Sequence, residues 1–269
     1  TIVAALAACQ AISAGWQAAF MAPTEILAEQ HYLKLRGWLE PLGVRVAWLS
    51  GSLRSKARRE QLAAAAADAQ LVVGTHALIQ EGVDFARLGL AIVDEQHRFG
   101  VAQRLALRKK GDNPHQLMMS ATPIPRTLAM SYYADLDVTV LDELPPGRTP
   151  VRTRLVAEGR RAEVVGFVGK HVEEGRQAYW VCPLIEESET LQLQTAQETF
   201  ATLSAELSGL TVGLVHGRLK VDEKQAVMAA FAAGDIDVLV ATTVIEVGVD
   251  VPNASLMVIE HAERFGLSQ

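Results

Sequence analysis

Cysteine is scarce: only Cys9 and Cys182 occur among 269 residues, far apart and without metal-ligand spacing. That excludes a disulfide framework and a thiolate metal centre, and predicts two buried thiols in a reducing cytoplasm. Long apolar runs are also missing. The longest alanine-rich stretch, Leu62 to Ala67, is far too short to span a bilayer, so no membrane partner is expected. Positive charge is in deficit, 25 Lys and Arg against 31 Asp and Glu, for a net charge of −6. A protein that coats nucleic acid by bulk charge is therefore excluded, but a localised groove is not. Two basic clusters remain, Arg54-Lys56-Arg58-Arg59 and Arg104-Arg108-Lys109-Lys110, and each reads most simply as a solvated helix face. Finally, no G-x-x-x-x-G-K-[ST] run occurs anywhere, so none of these residues forms the loop that cradles β- and γ-phosphates.

What is present is an apolar chain, 49% hydrophobic and 21% charged, of the length of two ordinary domains. Residues 2–13 read as a helix, 17–22 as a strand, and Pro23-Thr24-Glu25 opens a helix to about Glu40 with Thr24 as N-cap. A strand over 44–49, a helix capped by Ser52, and strands near 71–73, 90 and 116–119 follow. Leu144-Pro145-Pro146-Gly147-Arg148-Thr149-Pro150 cannot continue a helix or a central strand, and predicts a boundary between domains 1–146 and 147–269. Beyond it the alternation restarts, with strands near 151–156, 177–182, 211–215, 237–241 and 256–260 and helices near 160–174, 192–207 and 220–233. Strands alternating with helices at this spacing predict two α/β domains, each a doubly wound parallel sheet. No clear sequence repeat links them; the likeness is one of architecture.

The stretch Leu90-Ala91-Ile92-Val93-Asp94-Glu95-Gln96-His97 organises the first half. Four unbroken apolar residues suit a strand buried on both faces, and the two acids fall at the C-terminal edge where such sheets place ligands. One acid could hold Mg²⁺ through its water shell and the next could polarise an attacking water. Two solvated acids at a strand end are the plainer alternative.

Around this pair, Ala22-Pro23-Thr24-Glu25, Gly74-Thr75-His76, Asp94-Glu95-Gln96-His97 and Ser120-Ala121-Thr122 resemble, in order, motifs Ia, Ib, II and III of superfamily 2 helicases. His216-Gly217-Arg218 and the run Val240 to Asp250 resemble motifs IVa and V. The longer strings DEQHRFGV, SATPIPRT, DELPPGRTP and QAYWVCPLIEESE resemble the branch of that superfamily that moves on branched DNA. Gln96 favours that branch over the transcription-repair coupling translocases, which usually carry glutamate there.

The resemblance implies two tandem RecA-like domains of the P-loop NTPase type, the first without its phosphate-binding loop. ATP and Mg²⁺ are the implied cofactors and forked or branched duplex DNA the partner, for a bacterial, cytoplasmic, monomeric motor of recombination and repair. It makes Asp94 the Mg²⁺ acid, Glu95 the residue that activates water, and His97 the link to motif III. Gln96, Ser120, Thr122 and Arg126 would couple nucleotide state to movement. Thr1 resembles the last residue of the phosphate loop, and Glu246, Gly248 and Asp250 would serve the nucleotide and the domain interface. Pro23, Thr24, Gly74, Thr75, His216, Gly217, Thr242 and Thr243 would grip the DNA backbone, although each taken singly also suits a cap or a turn. The family's arginine-rich motif VI is expected just beyond Gln269, so the chain is expected to be part of a motor core. Two readings stay open beside it: a transcription-repair coupling translocase, and a nucleic-acid-binding module without ATPase activity.

Overall fold

The computed structural model describes residues 1–49, 55–121, 137–144, 149–182, 189–242 and 251–264. The chain separates into two compact units, each built on its own sheet.

The first unit runs α1 (Ile2–Ser13), β1 (Gln17–Met21), α2 (Glu25–Leu39), β2 (Val46–Leu49), α3 (Ser55–Ala67), β3 (Leu71–Gly74), β4 (Leu88–Val93), α4 (Val101–Arg108) and β5 (His115–Met118). Its strands are all parallel, in the order β2-β3-β1-β4-β5. The central strands are buried on both faces, which is why they carry unbroken apolar runs instead of an alternating pattern. One face packs on α1 and α2 through Ala4, Ala8, Phe20, Leu35 and Ile92. The other packs on α3 and α4 through Met21, Ala65, Val93 and Leu107. The sheet is therefore doubly wound, as the alternation predicts. Thr24 caps α2 as expected, its hydroxyl accepting from Leu27 N at 3.3 Å. Ser52 lies outside the described residues.

The second half of the chain runs α5 (Arg161–Glu173), β6 (Gln177–Val181), α6 (Glu189–Glu206), β7 (Val212–Val215), α7 (Val221–Ala233), β8 (Val238–Ala241) and β9 (Ala254–Ile259). The strands are again parallel, in the order β7-β8-β6-β9. Val165 and Val168 of α5 and Leu203 of α6 pack with Trp180, Val238 and Val240 on one face. Cys182 is buried, and burial pushes its thiol up to about 11; Cys9 is half-buried.

Two sequence expectations need correction. Residues 151–156 form no strand: Val151 and Leu155 are 84% and 96% exposed, and no neighbouring strand takes up their backbone. The alternation Val-Arg-Thr-Arg-Leu-Val has a strand's period without a partner. The second correction concerns the repeat, which does exist. Gly15-x-Gln17-Ala18-x₄-Pro23 matches Gly175-x-Gln177-Ala178-x₄-Pro183. Both glycines take positive φ (+83° and +80°), and both strands shift register between the glutamine and the alanine. The Gln17 amide donates to Ala65 O at 2.8 Å and Ala69 O at 2.7 Å; that of Gln177 donates to Phe231 O at 2.6 Å and Ile236 O at 2.7 Å. With only four positions shared and the rest exchanged among apolar residues, the match is faint in sequence. The predicted boundary at 146/147 falls in 145–148, outside the described residues. Among the described residues no helix is long and apolar enough to cross a membrane.

Candidate functional site

The site of the first unit lies where β4 and β5 end. Asp94 leaves β4 still in sheet register, its N–H donating to Met21 O at 2.9 Å, so the acid sits at the C-terminal edge of the central strands. Its Oδ1 accepts from Glu95 N at 3.0 Å and its Oδ2 lies 2.7 Å from His31 Nε2. The next residue, Glu95, turns the chain sharply with φ +47°, a left-handed conformation unusual for a residue with a side chain. That turn leads into a short helical turn, Gln96–Arg98, and Gln96 N donates to Met119 O at 3.1 Å beside the end of β5.

Glu95 Oε2 is buried and makes no hydrogen bond; it lies 3.5 Å from His97 Nδ1. His97 Nδ1 is in turn 3.3 Å from Ser120 Oγ. The Glu95–His97–Ser120 contacts therefore join the segments after β4 and β5. Gln96 is buried, and its Oε1 also lacks a hydrogen bond. The structure adds one residue that sequence reading missed. His31, in the middle of α2, is 7% exposed and stands between Asp94 and Thr1, its Nδ1 3.4 Å from Thr1 Oγ1. A lone histidine within a helix carries no motif, so only the fold reveals its place.

The residues expected to grip DNA are arranged less uniformly. Pro23 and Thr24 are half-buried at the start of α2, after β1. Gly74 ends β3, where an added Cβ would lie 2.1 Å from Leu49 O, so close strand packing alone demands a glycine. Thr75 is 1% exposed and caps the short helix 76–79, its hydroxyl 3.5 Å from Ala77 N. That hydroxyl is turned inward and not to solvent. In the second half of the chain His216 and Gly217 follow β7, Gly217 O accepting from Lys224 Nζ at 2.7 Å, and Thr242 follows β8 with only 5% exposed. Thr122, Arg126, Thr243, Glu246, Gly248 and Asp250 lie outside the described residues.

Among the described residues no group of three or more His, Cys, Asp or Glu could hold a metal ion. One or two carboxylates, one with a buried oxygen lacking a hydrogen bond, instead suit Mg²⁺ that arrives with phosphates and keeps most of its waters. The residues present fit that group.

A doubly wound parallel sheet whose strand β4 ends in Asp-Glu-Gln-His, with a second parallel sheet whose four strands follow the order of the first four, defines the two-domain motor type of superfamily 2 helicases. The family model for DEAD/DEAH box helicases matches residues 1–131, and that for the helicase conserved C-terminal domain matches 160–268. Within that class, the chain belongs to the RecG family. It is 60% identical over 275 residues to the ATP-dependent DNA helicase RecG of Escherichia coli (strain K12) and 51% identical over 271 residues to that of Streptococcus pneumoniae. In both cases all of this chain is covered but only 40% of the relative, so it spans about two fifths of the curated relatives it matches. The structure of RecG bound to a three-way DNA junction is 48% identical with a TM-score of 0.76, covering 100% of this chain and 35% of that one. The helicase MrfA bound to DNA gives a TM-score of 0.66 at 18% identity, covering 94% of this chain and 39% of that one, a likeness of fold alone.

Proposed function

We propose that this chain is the motor core of an ATP-dependent DNA helicase that acts on forked and branched duplexes in recombination and repair, with domains 1–146 and 147–269. The observation that carries this reading is the contact series Asp94–Glu95–His97–Ser120 at the ends of β4 and β5. Identity to RecG relatives along the whole chain supports the DNA partner.

In this reading Asp94 presents a carboxylate fixed at both oxygens, by His31 and by the Glu95 N–H. Bound Mg²⁺ would neutralise charge on the phosphates. Glu95, whose Oε2 makes no hydrogen bond, accepts the proton of the attacking water. His97 passes the state of that carboxylate to Ser120 and so to the segment holding Thr122 and Arg126. Thr1, Glu246, Gly248 and Asp250 complete the nucleotide site. Pro23, Thr24, Gly74, Thr75, His216, Gly217, Thr242 and Thr243 belong to segments that hold the DNA backbone, a contact that fixes register without reading bases. For Thr75 the inward hydroxyl assigns any such contact to the backbone of its loop.

The test is Glu95→Gln in the full-length protein. The amide keeps size and polarity but loses the basic oxygen, so Mg-ATP binding should persist while turnover falls about a hundred- to a thousandfold. Turnover near the wild-type rate would remove Glu95 from the chemistry.

A further inference from the structure

His31 has a place that the family motifs do not give it. Its ring is buried against Phe20 of β1, with centroids 4.6 Å apart, so packing alone fixes its position. Its two nitrogens then meet side chains from two other elements. Nε2 lies 2.7 Å from Asp94 Oδ2 at the end of β4, and Nδ1 lies 3.4 Å from Thr1 Oγ1 at the start of α1. An ionised carboxylate can only accept, so Nε2 carries a proton and donates it to Asp94. In the neutral ring Nδ1 is then an acceptor, and the Thr1 hydroxyl donates to it. With a neutral ring the hydrogen bonds run Thr1→His31→Asp94. A histidine kept only for packing would be satisfied by any backbone carbonyl. Here both partners are side chains of the candidate site, 30 and 63 positions away in sequence.

We propose that His31 is a positioning residue of the nucleotide–metal site, a buried strut that fixes the Asp94 carboxylate and ties it to Thr1. The proposal rests on the reading of Asp94 as the Mg²⁺ acid. Asp94 has its other oxygen on the Glu95 N–H, so with His31 in place the carboxylate plane cannot rotate. Without His31 one oxygen loses its partner, and the acid can turn away from the cation's water shell. Partners of this kind, one step removed from the metal, commonly change metal affinity ten- to a hundredfold when removed.

The experiment uses the full-length protein with Mn²⁺ as a stand-in that electron paramagnetic resonance can count, in the presence of ADP. His31→Phe keeps a ring over Phe20 and removes both hydrogen bonds. The expected result is an unchanged melting temperature, Mn²⁺ binding in the presence of ADP weakened about tenfold or more, and unaltered binding of ADP without metal. His31→Gln, whose amide can still reach Asp94, should restore Mn²⁺ affinity to within about threefold of wild type. If the phenylalanine disturbs the fold, His31→Gln against His31→Met gives the same comparison, because the two side chains match in length and differ in the amide. Equal Mn²⁺ affinity in wild type, His31→Phe and His31→Met would overturn the proposal. A wild-type protein that binds no Mn²⁺ in the presence of ADP would overturn it too, by removing the reading of Asp94 beneath it.

Discussion

At the scale of single residues, the site combines positions that a motif marks with positions that packing dictates, and Gly74 shows how the two become confused. Its place in the string Gly74-Thr75-His76 suggests a close backbone approach to DNA. The structure supplies an independent reason: a Cβ there would sit 2.1 Å from the Leu49 carbonyl oxygen of the adjoining strand. Gly74 is also paired in register with Met21 on its other side, so the strand end has no room to swing away. Gly74→Ala should therefore lower stability by about 1–3 kcal/mol, the usual cost of overpacking a filled site. Urea unfolding would measure it as a lower midpoint at unchanged slope. An unaltered midpoint would mean that β2 moves aside freely, and the glycine would then have to be explained by ligand contact after all. Asp94, Glu95 and His97 were legible in sequence because their spacing is local. His31 was not, because its meaning depends on two residues that only the fold brings to it.

At the scale of elements, the repeated glutamine ties each sheet to the helix that packs on it. Gln17 donates to Ala65 O in the last turn of α3 and to Ala69 O just beyond it, and its Oε1 accepts from Arg87 N at 2.9 Å. The Gln177 amide likewise donates to Phe231 O in the last turn of α7 and to Ile236 O just beyond it. Gln17→Leu or Gln177→Leu would leave these buried groups unsatisfied, at about 1–3 kcal/mol for each orphaned group. The expected signature is local. Hydrogen exchange should speed up in β1, β3 and β4 for the first substitution, and in β6, β8 and β9 for the second. Protection unchanged in both variants would show that water replaces the amide at no cost. The clamp also bears on what a sequence can reveal at this scale. Helices and buried strands were legible from their periods, since α2 begins at its Thr24 cap and β4 runs unbroken into Asp94. Strand order was not, because it depends on contacts between distant residues. The false strand at 151–156 failed for a related reason: alternation reports which residues could face a core, not whether a neighbouring strand exists.

At the scale of the whole molecule, the chain carries two parallel sheets and a set of candidate functional residues that lacks a phosphate-binding loop. Among the 269 residues there is no G-x-x-x-x-G-K-[ST] loop, so nothing in this sequence supplies that loop's lysine or the backbone N–H groups with which it cradles a triphosphate. The Asp94 and Glu95 side chains keep 17% and 21% of their surface in water, where charge interactions are weaker than in a closed site. An arginine finger, which the proposed motor also needs, is worth roughly a thousandfold or more to phosphoryl transfer. The prediction is that a chain of these residues alone hydrolyses no ATP above background, with or without DNA. The full-length protein should turn over ATP and be stimulated by forked duplex. The losses act on one chemical step, so adding back only the loop or only the finger should recover less than their separate effects suggest. Phosphate release measured for the short chain and the full-length protein, each with and without a fork, decides the matter. Robust DNA-stimulated turnover by the short chain would mean that Asp94 and Glu95 act without a phosphate cradle. Silence from the full-length protein would remove the motor and leave a DNA-binding fold whose carboxylate edge has lost its chemistry.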